Sequence, residues 1–266
     1  YQINPNGRRY RDWKRSGHGW IDLERSIIES VDSYYYQLAQ KMGITPIHNF
    51  LQKLSFGSPA ILDLNGASNG LLPSNEWKKA KYKEPWYPGD SVNIGIGQGF
   101  MVATPLQIAS ATTVIANRGI WHSPRMAKQI GGEDFESLQE TKTTKTIILK
   151  NQRNWEKVVV AMEKVISDRK GTARRLQGTP YKIAGKTGTG QVFSLQDDEE
   201  YEADKLETRL HDHAMFIGFA PSKKPEIVVF AIFENGGSSS KPADLTKKLF
   251  DAYLLDEYPV EYDYLK

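Results

Sequence analysis

Hydrophobic residues between positions 21 and 42 recur at the spacing of an amphipathic helix. They fall on two stripes rather than one, and Ser30 and Asp32 lie at the junction between the stripes. Because Ser and Asp side chains compete for backbone hydrogen bonds and favour helix caps, this junction predicts a break near Asp32 or Ser33. The pattern therefore indicates two helices, and Gly43 is placed to end the second one.

Helical spacing returns at several later places in the chain. Thr104 and Pro105 form a good N-cap and first-turn pair, and the helix that they open is expected to end near Asn117. The stretch Phe56–Pro88 is rich in Gly, Asn and Pro and predicts mostly loops. The other predicted helices cover Ile47–Leu54, a short segment around Trp77, Trp155–Ile166 and Pro242–Leu255.

The clearest strand signal is Tyr181–Phe193, which reads YKIAGKTGTGQVF. Its residues alternate in a way that lets a strand bury one face while the other face stays accessible. Gly185, Gly188 and Gly190 remove side chains along it, and a sheet accepts such losses mainly where a ligand or another backbone approaches. The stretch therefore predicts a strand against which a ligand docks.

Two further β-rich runs, Met215–Ala220 and Glu226–Glu234, predict an antiparallel hairpin, and the charged stretch Gln196–Asp212 before them predicts a solvated loop. This order of helices, three strands and a closing helix indicates an α/β layered (α+β) domain with an antiparallel sheet flanked by helices. We expect an all-helical subdomain over residues 21–150, and the sheet with its closing helix over residues 151–258.

Composition narrows the class of protein. The chain has 266 residues, of which 39% are hydrophobic and 25% are charged, so it can bury a sizeable core. Its net charge of +3 is modest and its basic residues are dispersed among acids, which argues against a nucleic-acid partner. It has no cysteine, which excludes disulfides and thiol nucleophiles. No apolar run is long enough to span a bilayer, and the start at Tyr1 without a signal sequence leads us to expect a piece of a longer protein.

The Gly-Lys-Thr at positions 185–187 occurs in two unrelated kinds of site. A phosphate-binding P-loop needs glycine at the position of Pro180 and a helix after the lysine, whereas the residues after Lys186 favour a strand. A dinucleotide-binding fingerprint fails as well, because Phe100 occupies the place of its third glycine. The alternative is a Lys-Thr-Gly motif on a strand edge, as in the active-serine penicillin-recognising enzymes.

Several motifs carry a resemblance to that family. The runs Ser30-Val31-Asp32 and Lys186-Thr187-Gly188-Thr189 occur in the order of its SxD and KTG signatures. The match continues in Gly97-Gln98-Gly99, in Thr104-Pro105-Leu106-Gln107 and in the RDWK...GHG loop of residues 11–19. Over nearly its whole length the chain resembles the class B penicillin-binding transpeptidases, in particular the elongation-specific D,D-transpeptidases of Gram-negative bacteria.

The resemblance implies roles for the residues of the KTG motif. Lys186 would attract the terminal carboxylate of a peptide ending in D-Ala-D-Ala and would assist the electrostatics of Ser30. Thr187 and Thr189 would hydrogen-bond the same carboxylate, and Gly188 would keep the approach open. The backbone N–H of Thr189 would form half of an oxyanion hole.

The resemblance also implies roles for the SxD motif. Ser30 would relay protons between the catalytic lysine and the leaving amine, and Asp32 would position Ser30 and the substrate backbone. Asp32 stands where many relatives have Asn. Because an ionised carboxylate cannot donate a hydrogen bond, the donor part of the Asn role must come from elsewhere.

The acylated serine of the family belongs to an SxxK motif that must precede Ser30, and nothing before Ser30 matches it. The two later matches, Ser167–Lys170 and Ser238–Lys241, follow Ser30 in the chain, and so short a pattern arises readily by chance. We therefore expect the nucleophile and its lysine to lie upstream of Tyr1.

Some relatives bind zinc through an upstream Asp, an Asp and a His of the RDWK...GHG loop, and a Cys inside the SxD motif. Asp12 and His18 match two of these ligands, but Val31 occupies the cysteine position. With one ligand lost and one outside the chain, we expect that no cofactor is required and treat zinc as the less favoured alternative.

The implied function is the cross-linking of peptidoglycan stem peptides through an acyl-enzyme that β-lactams also form. The alternatives are a D,D-carboxypeptidase or β-lactamase, in which water deacylates a similar site, and a non-catalytic penicillin-sensing or scaffold module. The implied partners are a stem peptide ending in D-Ala-D-Ala, a membrane glycosyltransferase of the elongation complex and its scaffold proteins. The implied location is the periplasm, on an inner-membrane anchor outside this chain.

Overall fold

The computed structural model describes residues 1–61, 63–127, 129–130, 133–134, 144–192 and 206–258. The chain divides into two compact units. One unit contains Tyr1–Arg15 and Asp32–Trp155, and the other contains Ser16–Val31 and the chain from Glu156 onward. The segment that carries Ser30 therefore belongs to the second unit, and the predicted subdomain bounds stay a prediction.

The first unit is rich in helices. The break predicted near Asp32 is present, and Gly43, which has a positive φ of 69°, separates two helices as predicted. The third helix begins at Ile44, a few residues before its predicted start. The helices of this unit are α2 (Asp32–Met42), α3 (Ile44–Lys53), α4 (Asn75–Tyr82), α5 (Pro88–Gly95) and α6 (Pro105–Ala116).

Capping residues explain where α5 and α6 begin. The Thr104 hydroxyl accepts a hydrogen bond from the Gln107 backbone N–H, and the Gln107 side chain accepts one from the Thr104 backbone N–H, which forms a capping box. Helix α5 is absent from the sequence prediction. There the Asp90 carboxylate accepts from the backbone N–H of Tyr87, and Pro88 fills the first position of the helix.

The first unit also contains short strands, which the prediction of an all-helical subdomain did not include. Strand β1 (Ile120–His122) pairs with β4 (Thr144–Thr146), and β2 (Gln129–Ile130) pairs with β3 (Glu133–Asp134), both antiparallel. The core of this unit is formed by buried residues of α6, of β1, of the helix that begins at Arg153 and of segments between the elements: Leu54, Phe56, Leu72, Ala111, Val114, Trp121, Ile147 and Trp155.

The second unit contains the predicted antiparallel sheet in the order β5-β6-β7. Its strands are β5 (Ala184–Gly190), β6 (His213–Ala220) and β7 (Ile227–Phe233), and β5 is shorter than the strand predicted over Tyr181–Phe193. Most of the predicted loop Gln196–Asp212 lies outside the described residues. The unit's helices are α1 (Leu23–Ile28) and α8 (Ser240–Leu255), together with α7 (Arg153–Ser167), which begins at the boundary between the units.

The core of the second unit lies between the sheet and its helices. Phe216 of β6 and Phe250 of α8 are completely buried, and Val165 of α7 belongs to the same cluster. Leu176, in a short 3-10 turn after α7, is also fully buried. Because these side chains come from α7, β6 and α8, their packing fixes the sheet against two helices.

Two glycines of the sheet leave room for the ring of Phe216. A Cβ atom on Gly185 would lie 2.5 Å from Phe216 Cζ, and one on Gly218 would lie 3.0 Å from Phe216 Cε1. Gly185 and Gly218 face each other across β5 and β6. The space next to Gly185 is therefore occupied by the neighbouring strand's side chain, and not by an approaching ligand as the sequence suggested.

Replacing Gly185 with alanine is expected to destabilise the protein by about 1–3 kcal/mol, because overpacking forces a well-packed core to shift. The matched control is Gly188→Ala on the same strand, whose Cβ would come no closer than 3.3 Å to Met215. Denaturant unfolding of the two variants measures the difference. Equal losses of stability would contradict the packing role of Gly185.

Candidate active site

Ser30 lies in a tight turn between α1 and α2. Its backbone has a positive φ of 55°, a left-handed conformation that is uncommon for a residue with a side chain. The turn is held by a hydrogen bond of 3.0 Å from the Val31 N–H to the Ser26 carbonyl. Such a conformation persists only where the surrounding structure enforces it, and it is common at functional sites.

The structure brings Ser30 and Lys186 together. Lys186 lies on β5 opposite Ile217 of β6, and its Nζ donates a hydrogen bond of 2.7 Å to Ser30 Oγ. The same ammonium donates to the Thr187 carbonyl at 2.9 Å. The serine of the SxD motif and the lysine of the KTG motif, which are 156 positions apart in the chain, are thus joined directly.

Thr187 contacts a second hydroxyl that the sequence did not reveal. Its Oγ1 lies 2.8 Å from Thr172 Oγ1, and Lys186 Nζ lies 3.5 Å from the same Thr187 oxygen. Thr172 follows the end of α7. In the sequence, Thr172 only follows the predicted helix Trp155–Ile166, and a hydroxyl in such a position is too common to single out.

Gly188 and Thr189 continue β5 along the sheet edge. In the part of the chain that the structure describes, β5 pairs with β6 on one side only, with Gly188 opposite Met215 and Thr189 opposite Ala214. Thr189 is exposed. An edge strand presents backbone donors and acceptors to an added strand, so this edge is suited to bind an extended peptide.

Asp32 is the first residue of α2 and belongs to the first unit. A carboxylate in the first turn of a helix is stabilised by the partial positive charge of the helix N-terminus. Burial, followed by the charges of Asp32 and Asp12, raises the pKa of the Tyr36 hydroxyl. The Tyr36 hydroxyl donates to the Arg11 carbonyl at 3.1 Å.

Glu29, which directly precedes Ser30, is a buried carboxylate among basic side chains. Its Oε1 accepts from Arg25 Nε at 2.9 Å and from Arg25 Nη2, and lies 3.6 Å from Lys170 Nζ. Its Oε2 lies 3.3 Å from His18 Nδ1. The Glu29 side chain is only 7% exposed. We name Glu29, Arg25, His18 and Lys170 the Glu29 cluster.

The surroundings of Glu29 stabilise its charged form. Burial by itself raises the pKa of the carboxyl, but hydrogen bonds from Arg25 and His18 and the charges of Arg25 and Lys170 outweigh it. The pKa of Glu29 therefore lies below its ordinary value. The hydrogen bond to Glu29 also raises the pKa of the Arg25 guanidinium.

The predicted zinc ligands have protein partners instead. The Asp12 carboxylate accepts two hydrogen bonds of 2.9 Å from the backbone N–H and the hydroxyl of Ser33, near the start of α2, and His18 contacts Glu29. Val31, at the cysteine position, is buried. Among the residues that the structure describes, no group of three or more His, Cys, Asp or Glu could hold a metal ion. That no cofactor is required stays a prediction.

Among the described residues, the first serine of each SxxK match has a local hydrogen-bond partner other than its lysine. The Ser167 hydroxyl donates to the Glu163 carbonyl at 3.2 Å, and Lys170 contacts Glu29. The Ser238 hydroxyl lies 3.0 Å from the Ser240 hydroxyl. That neither serine is the nucleophile stays a prediction.

Comparison with known proteins places this geometry in context. The model of the penicillin-binding protein transpeptidase domain matches residues 1–253. The peptidoglycan D,D-transpeptidase MrdA of Haemophilus influenzae is 40% identical over 262 residues, which cover 97% of this chain and 40% of that protein. The chain thus spans about two fifths of the length of this curated relative.

Two solved PBP2 structures are similar to this chain in fold and in sequence. The crystal structure of Pseudomonas aeruginosa PBP2 in complex with WCK 5153 has a TM-score of 0.84 and 39% identity, over 99% of this chain and 56% of that one. Helicobacter pylori PBP2 in complex with MreC has a TM-score of 0.78 and 30% identity, over 92% of this chain and 42% of that one. None of the helices that the structure describes is long and apolar enough to cross a membrane.

The contribution of Glu29 to stability should depend on pH in a defined direction. Because its pKa in the folded protein lies below the ordinary value of 4.5, its contribution is present above pH 4.5 and is lost as the pH falls through the folded pKa. At about pH 7, Glu29→Gln should lower the free energy of unfolding by about 1–3 kcal/mol, and the loss should shrink at about pH 3.

Denaturant unfolding at both pH values measures this loss. Glu24→Gln, on the same helix, removes an exposed ion pair to Lys164 and is the matched control, with an expected loss below about 1 kcal/mol. A loss for Glu29→Gln that stays constant or grows on acidification would show that the charge of Glu29 is not stabilising.

Proposed function

The chain belongs to the penicillin-binding protein transpeptidase family, and from this premise we propose that it forms the substrate-binding part of a peptidoglycan D,D-transpeptidase. Its substrate is a stem peptide ending in D-Ala-D-Ala, and β-lactams react at the same site. The observation that carries the proposal is the hydrogen bond of 2.7 Å between Lys186 Nζ and Ser30 Oγ, next to the hydroxyl of Thr187.

Charge and hydroxyl groups on β5 suit the binding of a peptide carboxylate. The ammonium of Lys186 attracts the negative charge, and charge-assisted hydrogen bonds are among the strong ones in proteins. Thr187 and Thr189 add hydroxyl donors along the same strand, and the edge of β5 offers backbone groups to an extended substrate. This combination supports a ligand that is both a peptide and an anion.

The contact between Lys186 and Ser30 suits proton transfer during acyl transfer. In the first step a serine oxygen attacks the carbonyl carbon of the penultimate D-Ala, and the bond to the nitrogen of the terminal D-Ala breaks. That nitrogen must receive a proton, which Ser30 supplies in the proposed relay. In the second step an amine of a neighbouring stem peptide attacks the ester and releases the serine. That the attacking serine lies upstream of Tyr1 stays a prediction.

The relatives suggest where the protein works and with which partners. PBP2 of Helicobacter pylori has been solved in complex with MreC, so we propose a partner of that kind for the full protein. A membrane glycosyltransferase of the elongation complex and a periplasmic location on an inner-membrane anchor complete the proposal. Both rest on family membership and not on a surface of this chain.

Replacing Lys186 with methionine should slow acylation of the full-length protein by a fluorescent penicillin by about 10²- to 10⁴-fold, because the site loses its cation and the hydrogen bond to Ser30. The matched control is Lys182→Met, which removes an exposed lysine just before β5. Time courses of labelling measure the rate. Acylation of Lys186→Met at the native rate would overturn the proposed site.

The fate of the label separates cross-linking from hydrolysis. A transpeptidase needs an acyl-enzyme that resists water until an amine arrives, so the fluorescent adduct of the native protein should persist for many minutes and turn over faster when an acceptor amine is added. A chase with unlabelled penicillin measures its loss. Rapid release without any amine would favour a carboxypeptidase or β-lactamase, and no labelling at all would favour a non-catalytic module.

A further inference from the structure

We propose that Glu29 is a positioning residue of the active site, whose carboxylate joins the turn that carries Ser30 to the segment that carries Thr172. The inference rests on the proposed function, since it concerns the same hydroxyl and ammonium groups. Glu29 acts through the backbone segments that bring Ser30 to Lys186 and Thr172 to Thr187.

The first half of the connection is the turn after α1. Glu29 is the C-cap residue of that helix, and its backbone N–H donates to the Arg25 carbonyl at 2.9 Å. Its carboxylate is anchored by Arg25 from the same helix and by His18 from the segment before it. The next residue, Ser30, has the positive φ of 55° and meets Lys186. Glu29 therefore fixes the turn from both its backbone and its side chain.

The second half is the segment after α7. Lys170 reaches Glu29 Oε1 at 3.6 Å. The backbone around Lys170 is held by Asp168, whose carboxylate accepts from the Lys170 N–H at 2.8 Å, and by a 3.0 Å bond from the Ala173 N–H to the Val165 carbonyl. Thr172 lies within this short segment and meets Thr187 at 2.8 Å. A shift of Lys170 would thus carry Thr172 with it.

A role in stability alone explains the Glu29 cluster less well than a positioning role does. Burying a carboxylate carries a desolvation cost, so a buried ion pair is weak support for stability even when it is well hydrogen-bonded. A residue held at positive φ costs about 1–3 kcal/mol and persists only when neighbours enforce it. The cluster provides that enforcement next to Ser30.

The experiment follows acylation of the full-length protein by a fluorescent penicillin in rapid-mixing time courses. These separate the acylation rate constant at saturating penicillin from the amplitude, which counts the active molecules. Glu29→Gln should lower the rate constant about 10- to 100-fold, as expected when reacting groups are misplaced by a fraction of an ångström to an ångström. Glu24→Gln should leave it unchanged. A structural role alone would lower the amplitude and not the rate constant.

Variants of Lys170 keep the test decisive if Glu29→Gln fails to fold, because the Lys170 side chain is 58% exposed. Lys170→Gln should lower the rate constant about 2- to 5-fold, which is the effect expected from the loss of an exposed ion pair. Lys170→Arg keeps the charge and should restore the rate constant. In the Glu29→Gln background, Lys170→Gln should have no further effect.

The outcomes separate this inference from the proposed function. If the native protein is not acylated, the proposed function fails. If the native protein is acylated and both Glu29→Gln and Lys170→Gln keep its rate constant, Glu29 is not a positioning residue while the proposed function stands. If Lys170→Gln and Lys170→Arg are equally slow, the charge of Lys170 is irrelevant and the inference also fails.

Discussion

The hydrogen bond from Lys186 Nζ to Ser30 Oγ is the contact on which the candidate site depends. It joins a strand of the sheet to a turn 156 positions earlier in the chain, so neither partner can be placed by local structure alone. Lys186 is placed by the register of β5 against β6, and Ser30 by a left-handed turn. Because side chains alternate along a strand, a slip of one residue would direct Lys186 to the opposite face. The packing of Phe216 against Gly185 and Gly218 opposes such a slip, because only glycine leaves room for the ring.

Much of this arrangement could be predicted from the sequence, because its signals lie within short segments of the chain. The break between α1 and α2, the capping pair of α6, the antiparallel hairpin and the closing helix follow from spacing, caps and turns within a few residues. The KTG and SxD motifs identified Lys186 and Ser30, and their resemblance to one family is confirmed by the family match. Helix α5 was missed because Pro88, Gly89 and Asn93 give it the composition of a loop, although Asp90 caps it.

What the sequence could not provide depends on contacts between distant segments. Arg25 and Glu29 have the spacing of a helical ion pair, but nothing near them indicates that His18 and Lys170 complete the cluster. Thr172 gave no signal, because its contact with Thr187 exists only once α7 and β5 are packed. Gly185 gave a misleading signal. It suggested room for a ligand, whereas the space beside it holds Phe216.

The direction of the central hydrogen bond constrains the chemistry. A lysine ammonium has donors only, so Ser30 Oγ must act as the acceptor in this contact, and the hydroxyl proton of Ser30 points elsewhere. A hydroxyl that accepts from a cation is polarised and becomes a better donor to its next partner. In the proposed reaction that partner is the leaving amine. In the reaction proposed above, Lys186 thereby orients the proton of Ser30 as well as attracting the substrate carboxylate.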